Sequence, residues 1–193
     1  MMKIGVLALQ GAVIEHLRML EEVGATAVSV KRVEELQDLD GLVIPGGEST
    51  TISKLMHKYG LMDAVRKFGE AGKPIFGTCA GAILLAKEIE GQLDAHLGLM
   101  DIKVARNAFG RQKDSFEVNL PVVGVAADYP AVFIRAPYLK HVGEAGQVLA
   151  KHEDKIVVAR DRHYLAAAFH PELTEDTRLH KYFLDMVKEA KKA

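Results

Sequence analysis

The 193-residue sequence holds a single cysteine, Cys79, which excludes an intramolecular disulfide and any zinc site built from several cysteines. Net charge is also lacking. With 25 basic against 26 acidic side chains, there is no bulk electrostatic footprint for nucleic acid or an anionic membrane. No apolar run nears the roughly 18 residues that a membrane span requires. The opening MMKIGVLALQG has no basic region, long apolar run and cleavage site of a signal peptide. Repeats, low-complexity segments and linkers are missing too. These absences lead us to expect a cytoplasmic protein with no nucleic acid or membrane partner, folded as one domain over residues 1–193.

What is present is an ordinary globular composition, 49% hydrophobic and 26% charged, arranged in two halves. The first half alternates strand and helix periods. Short apolar runs at 3–9, 26–30, 41–47 and 74–77 have the character of strands buried on both faces. Between them, residues 12–24 place Val13, Ile14, Leu17, Leu20 and Val23 on one helical face, and STTISKLMHKYG and LMDAVRKFGEAG read as two more helices. The fourth strand runs into AGAILLAKEIEG, which reads as the start of another helix. Such alternation implies a parallel sheet covered on both faces.

From about residue 98 the pattern becomes short β-like runs: IKVAR, SFEVNL, VVGVA, AVFIRA, QVLAKH, KIVVAR and HYLAAAF, with a hairpin connection at Asp161-Arg162. An amphipathic helix over about 174–190 closes the chain, with Leu179, Phe183, Met186 and Val187 on its apolar side. The expected architecture is α/β: three layers, with a mixed central sheet that gains antiparallel strands late.

Cys79 lies in FGTCAGAI, between a strand and a helix pattern, with Gly77 and Gly81 two residues to either side. This is the spacing of a nucleophile elbow, where small neighbours allow a strained turn to project one side chain. A helix N-terminus favours the thiolate, and the N–H of Ala80 would serve as one oxyanion donor. The plainer alternative is a cysteine packed quietly as a small hydrophobe.

A nucleophilic thiol needs a base. His16, His57 and His180 fall in helical patterns on expected polar faces, and His96, His141 and His152 in expected loops, so all six read as surface histidines. His170 differs, because it follows the apolar YLAAAF and precedes Pro171-Glu172. Proline pushes the residue before it toward extended backbone, where residues two apart share a side. Glu172 can then orient the His170 ring, leaving the other nitrogen for the thiol, which is the logic of a triad.

The third element is IPGGEST at 44–50, a glycine loop with exposed N–H groups at a strand end, followed by a helix N-cap. Gly46-Gly47 can face the elbow and supply a second oxyanion donor. The spacing and lysine of a phosphate loop are absent. Arg106, in the loop-like ARNAFGRQ, and Arg135, in FIRAP, are planar donors suited to a substrate carboxylate, although either taken singly reads as a surface or structural arginine.

PGGEST, FGTCAG and FHPEL together resemble the class I (triad-type) glutamine amidotransferases, in that family's order and spacing. GVLALQGAVIEH, PGGESTTISKL, GTCAGAILLAKEI, RNAFGRQKDSFE, FIRAP and FHPELTED narrow the resemblance to the family of glutaminase subunits of pyridoxal 5′-phosphate synthase, over about residues 4–176. The resemblance implies a flavodoxin-like three-layer domain with a mainly parallel sheet. It implies Cys79 as nucleophile, His170 as general acid/base and Glu172 as its orienter. Gly47, Glu48 and Ser49 would line the L-glutamine site, with Arg106, Ile134 and Arg135 closing over the substrate. Gly47 and Ala80 would form the oxyanion hole, with which the Gln10 turn is associated. No metal or cofactor is implied. The ammonia released would pass to a separate (β/α)8 synthase subunit. Competing readings are a glutaminase of another pathway, a non-enzymatic binding module with Cys79 as a redox sensor, and a cysteine peptidase.

Overall fold

KIGVL, TAVSV, GLVI and IFGT are short runs rich in residues that pack well on a pleated surface, and all four become parallel strands. The computed structural model describes residues 1–106 and 115–193. In chain order its first half comprises β1 (Lys3–Leu7), α1 (Val13–Glu22), β2 (Thr26–Val30), β3 (Gly41–Ile44), α2 (Ser49–Lys58), α3 (Leu61–Glu70), β4 (Ile75–Thr78), α4 (Ala80–Leu85) and β5 (Ala86–Ile89). The second half comprises β6 (Met100–Ala105), β7 (Ser115–Val122), β8 (Ala126–Ile134), β9 (Tyr138–Val142), β10 (Gly146–His152), β11 (Lys155–Asp161), β12 (Tyr164–Ala167) and α5 (Arg178–Lys192).

The main sheet runs β2-β1-β3-β4-β12-β11-β9-β6-β5, with β10 paired to β11 off this path. From β2 to β12 every pairing is parallel; β11 is antiparallel to β12, β9 and β10, and β9 is antiparallel to β6. The mixed, mainly parallel sheet with late antiparallel strands is therefore as expected. The chain leaves β1 toward β2 and leaves β3 in the opposite direction toward β4. Right-handed crossovers then put α1 on one face and α2 and α3 on the other. Helix α5 joins α1, while α4 packs with α2, giving three layers. The apolar side expected of the last helix is the buried one: Leu179, Phe183, Met186 and Val187 are all within 2% of full burial.

Four details differ from the expectations. AGAILLAKEIEG is helical only to Leu85, and Ala86–Ile89 turns into a strand paired with β6. VVGVA is the tip of the β7–β8 hairpin, with Gly124 at φ 76°, rather than a strand of its own. Ile14 is 67% exposed, because α1 buries His16, Met19 and Leu20 instead. His141 and His152 stand in β9 and β10, not in loops. Among the described residues no helix is long and apolar enough to cross a membrane.

Candidate active site

Strands β3, β4 and β12 lie side by side in parallel, with Ile44 opposite Gly77 and Ala167 opposite Thr78, so all three end at one edge of the sheet. Open α/β sheets offer ligand sites at such an edge. Cys79 is the residue that follows β4. It has φ 51° and ψ −108°, a region that costs a non-glycine residue about 1–3 kcal/mol. Its surroundings impose this geometry. The Cys79 N–H donates to the Ala167 carbonyl at 2.8 Å, and its own carbonyl accepts from Ala82 N at 3.0 Å. A side chain at Gly77 would collide with the Gly81 carbonyl, and one at Gly81 with the Ile44 carbonyl. The flanking glycines thus let the elbow sit against β3 with almost no clearance. Ala80 opens α4, where backbone N–H groups have no intrahelical partner.

The chain leaves β12 and reaches His170, whose N–H is anchored to the Val132 carbonyl of β8 at 2.8 Å. Nδ1 of His170 and Oε2 of Glu172 are 2.9 Å apart, and the Glu172 carboxylate is fully buried. The pairing is the expected one, but its backbone route is not. Pro171–Leu173 forms a 3-10 turn, so Glu172 reaches the ring by curling back rather than along extended chain. Burial lowers the His170 pKa, yet hydrogen bonding and charge from Cys79, and then from Glu172, outweigh it and hold the ring up at about 10. These partners favour the protonated form of the ring.

The Pro45-Gly46-Gly47 loop lies over this pair. A Cβ at Gly46 would stand 2.6 Å from His170 Cε1 and 3.3 Å from Cys79 Cβ, so only a bare backbone fits between loop and triad. The Gln10 side chain ties the loop down by accepting the Glu48 N–H at 2.7 Å, beside Gly47 at φ 145°. Glu48 turns its carboxylate away to cap α2, accepting Thr50 N, Thr51 N and the Thr51 hydroxyl. Bonds from Thr51 foremost hold its pKa below the usual carboxylate value. Ser49 is buried and accepts a hydrogen bond from Arg106 Nη2 at 2.9 Å. Ile134 ends β8 and Arg135 follows it at φ 46°, both exposed. Residues 107–114, the rest of the RNAFGRQKD block, lie outside the described residues.

Two residues assigned above to the surface belong to this site. His16 and His180 are both fully buried, with His16 Nδ1 2.8 Å from His180 Nε2 and His16 Nε2 3.7 Å from Glu172 Oε1. A helical period carries the signal for them. His16 falls on the stripe of Val13, Leu17 and Leu20, and His180 on that of Phe183 and Val187.

The sequence pattern of the SNO glutamine amidotransferase family matches residues 6–189. Among curated proteins, the chain is 86% identical to pyridoxal 5′-phosphate synthase subunit PdxT of Brevibacillus brevis, over 97% of this chain and 98% of that one. It is 60% identical to the protein of the same name from Niallia circulans, over 98% and 100%. A crystal structure described as a glutamine amidotransferase superposes with a TM-score of 0.91 at 51% identity, covering 96% of this chain and 98% of that chain.

Proposed function

We infer the reaction from one premise: the chain belongs to the SNO glutamine amidotransferase family and is a glutaminase subunit of pyridoxal 5′-phosphate synthase. It releases ammonia from L-glutamine for vitamin B6 synthesis. Cys79 is the nucleophile, His170 the acid/base and Glu172 its orienter, acting within one glutaminase domain over residues 1–193. The observation that carries this assignment is the meeting of the three at the β4 and β12 ends, under a loop whose Gly46 leaves no room for a Cβ beside the undisplaced His170 ring.

The steps follow from the charges. The Cys79 thiolate attacks the carboxamide carbon, forming a C–S bond while the carbonyl electron pair moves to oxygen. Backbone N–H groups of the Gly47 turn and Ala80 hold that oxyanion, with Gln10 keeping the turn in place. His170, as the imidazolium, gives its proton to the departing nitrogen, and the C–N bond breaks to leave ammonia and a thioester. Neutral His170 then takes a proton from water, whose oxygen attacks the thioester carbon. Collapse expels the Cys79 thiolate and glutamate, restoring the starting ion pair.

Substrate contacts extend this reading. Ser49 and Arg106 act as one bonded unit at the glutamine site, with Gly47 and the Glu48 backbone beside them, and Ile134 and Arg135 close the β8 side. The proposal includes a partner: the relatives are named as subunits of a synthase, so the ammonia goes to a separate (β/α)8 synthase subunit. It also includes a cytoplasmic location, where a lone catalytic thiol stays reduced.

The test is glutamine hydrolysis measured with and without the synthase subunit, beside Cys79→Ala. Activity that depends on Cys79 and rises with the partner supports the reading. Full activity in both Cys79→Ala and His170→Asn would sink it, whereas no glutamine hydrolysis by the wild type with or without the partner would favour the redox-sensor alternative, which uses neither His170 nor Glu172.

A further inference from the structure

A buried carboxylate needs partners for both of its oxygens. Glu172 Oε2 has one in His170 Nδ1, but Oε1 has no hydrogen-bond partner among the described residues. What faces Oε1 is His16 Nε2 at 3.7 Å, with the Thr78 hydroxyl 3.4 Å from the same nitrogen. Behind it, His180 Nε2 lies 2.8 Å from His16 Nδ1, while His180 Nδ1 is buried and unpartnered.

We propose that His16, backed by His180, is a positioning residue for the triad: its Nε2–H faces the second oxygen of Glu172 and fixes the carboxylate that orients His170. This deepens the glutaminase reading above and rests on it. The tautomers follow from counting donors. A carboxylate only accepts, so the proton of His16 belongs on Nε2, and Nδ1 must then accept. Accepting requires a donor, so His180 carries its own proton on Nε2. The nitrogen left over, His180 Nδ1, is then a bare lone pair, which is cheaper to bury unpaired than an N–H. The opposite assignment would aim a lone pair at the carboxylate and bury an orphaned N–H.

Both rings must be neutral for this arrangement, and their environment keeps them so. Burial, then the charges of His180 and His170, hold His16 well below its usual pKa, and burial alone takes His180 down to about 3. At 3.7 Å the His16 N–H lies beyond hydrogen-bond reach of Oε1 and acts on it as a nearby dipole, its recorded hydrogen-bond partner being the Thr78 hydroxyl. In a site closed to water such a dipole still favours the charged carboxylate. A single directed row results: His180 to His16, His16 to Glu172, and Glu172 accepting from His170, which faces Cys79. It starts on α5 and passes through α1, so two helices remote in sequence are tied to the acid/base group.

The test uses the chain with its synthase partner and three variants. His16→Leu keeps bulk but removes the donor, and kcat for glutamine hydrolysis should fall about 10-fold or more with KM little changed. His16→Gln, whose amide nitrogen stands near the place of Nε2, should recover most of that loss. His180→Phe should give a smaller loss in kcat. Equal activity of His16→Leu and wild type would overturn the proposal, as would equal impairment of the Leu and Gln variants, which would mark His16 as packing alone. A second readout needs no activity. Nitrogen-15 spectra of the histidine rings in the wild-type protein should show both rings neutral and protonated on Nε2, and a His16 protonated on Nδ1 would overturn the proposal. Absence of glutamine hydrolysis in the wild type would instead strike the glutaminase reading, leaving the ring spectra to decide the tautomers.

Discussion

Arg106 and Ser49, 57 positions apart in sequence, are joined by a 2.9 Å hydrogen bond from guanidinium to hydroxyl. Only part of the guanidinium is used by it, since Nε is buried with no partner among the described residues. A planar donor held at one end and unsatisfied at another is suited to donate to a substrate carboxylate. Arg106→Lys retains charge but loses the fork. We expect KM for glutamine to rise about 10-fold with kcat little changed, read from steady-state kinetics with the synthase present.

The left-handed backbone at Cys79 makes a prediction about stability alone. Glycine adopts such φ values without a Cβ penalty, and alanine does not. Both Cys79→Gly and Cys79→Ala should be inactive, but the glycine variant should be the more stable by about 1 kcal/mol in urea unfolding. An alanine variant more stable than the glycine one would mean that the elbow carries no strain.

Two glycines separate a catalytic role from a structural one. At Gly46 an added Cβ meets the His170 ring edge, a side chain that can move. Gly46→Ala should therefore fold yet lose more than about 10-fold in kcat, because a small displacement of a reacting group is costly. At Gly81 the obstacle is the Ile44 carbonyl, which belongs to the sheet. Gly81→Ala should lose about 2–4 kcal/mol of stability, measurable as a lowered melting temperature.

The histidines set opposite limits in pH. His180 has a folded pKa near 3 against 6.5 for a free histidine, so the unfolded chain binds more protons and stability falls as pH drops from 6.5 toward 3. His170 is raised to about 10; its contribution is complete below 6.5 and is lost as pH climbs through 10. Urea midpoints measured across this range should fall off on both sides. His180→Phe should lessen the acid-side fall, to which buried His16 still contributes, and leave the alkaline side unchanged.

Much of this site is legible in the sequence because its parts are local. The elbow, the Pro-Gly-Gly loop and His-Pro-Glu each carry their geometry within a few residues, and parallel strand order brings their ends together. What is not legible is set by tertiary packing. AKEI has helical character, but the edge of β6 takes it as a strand. Ile14 lies on an apolar stripe in sequence yet outside, because α1 turns His16 toward α5. His16 and His180 look polar one at a time. Their burial depends on each serving as the other's partner, a relation between positions 164 apart.

The 2.8 Å bond from the Cys79 N–H to the Ala167 carbonyl joins the proposed nucleophile's own peptide to the strand that leads to its proposed base. His170 stands three residues past that carbonyl. Sulfur and imidazole thus ride on one raft, and breathing of the sheet displaces them in common rather than against each other. Thermal noise that would blur a distance between separate loops is rejected here by construction. Reaction geometry then rests on that peptide pairing and on the His170 anchor to β8.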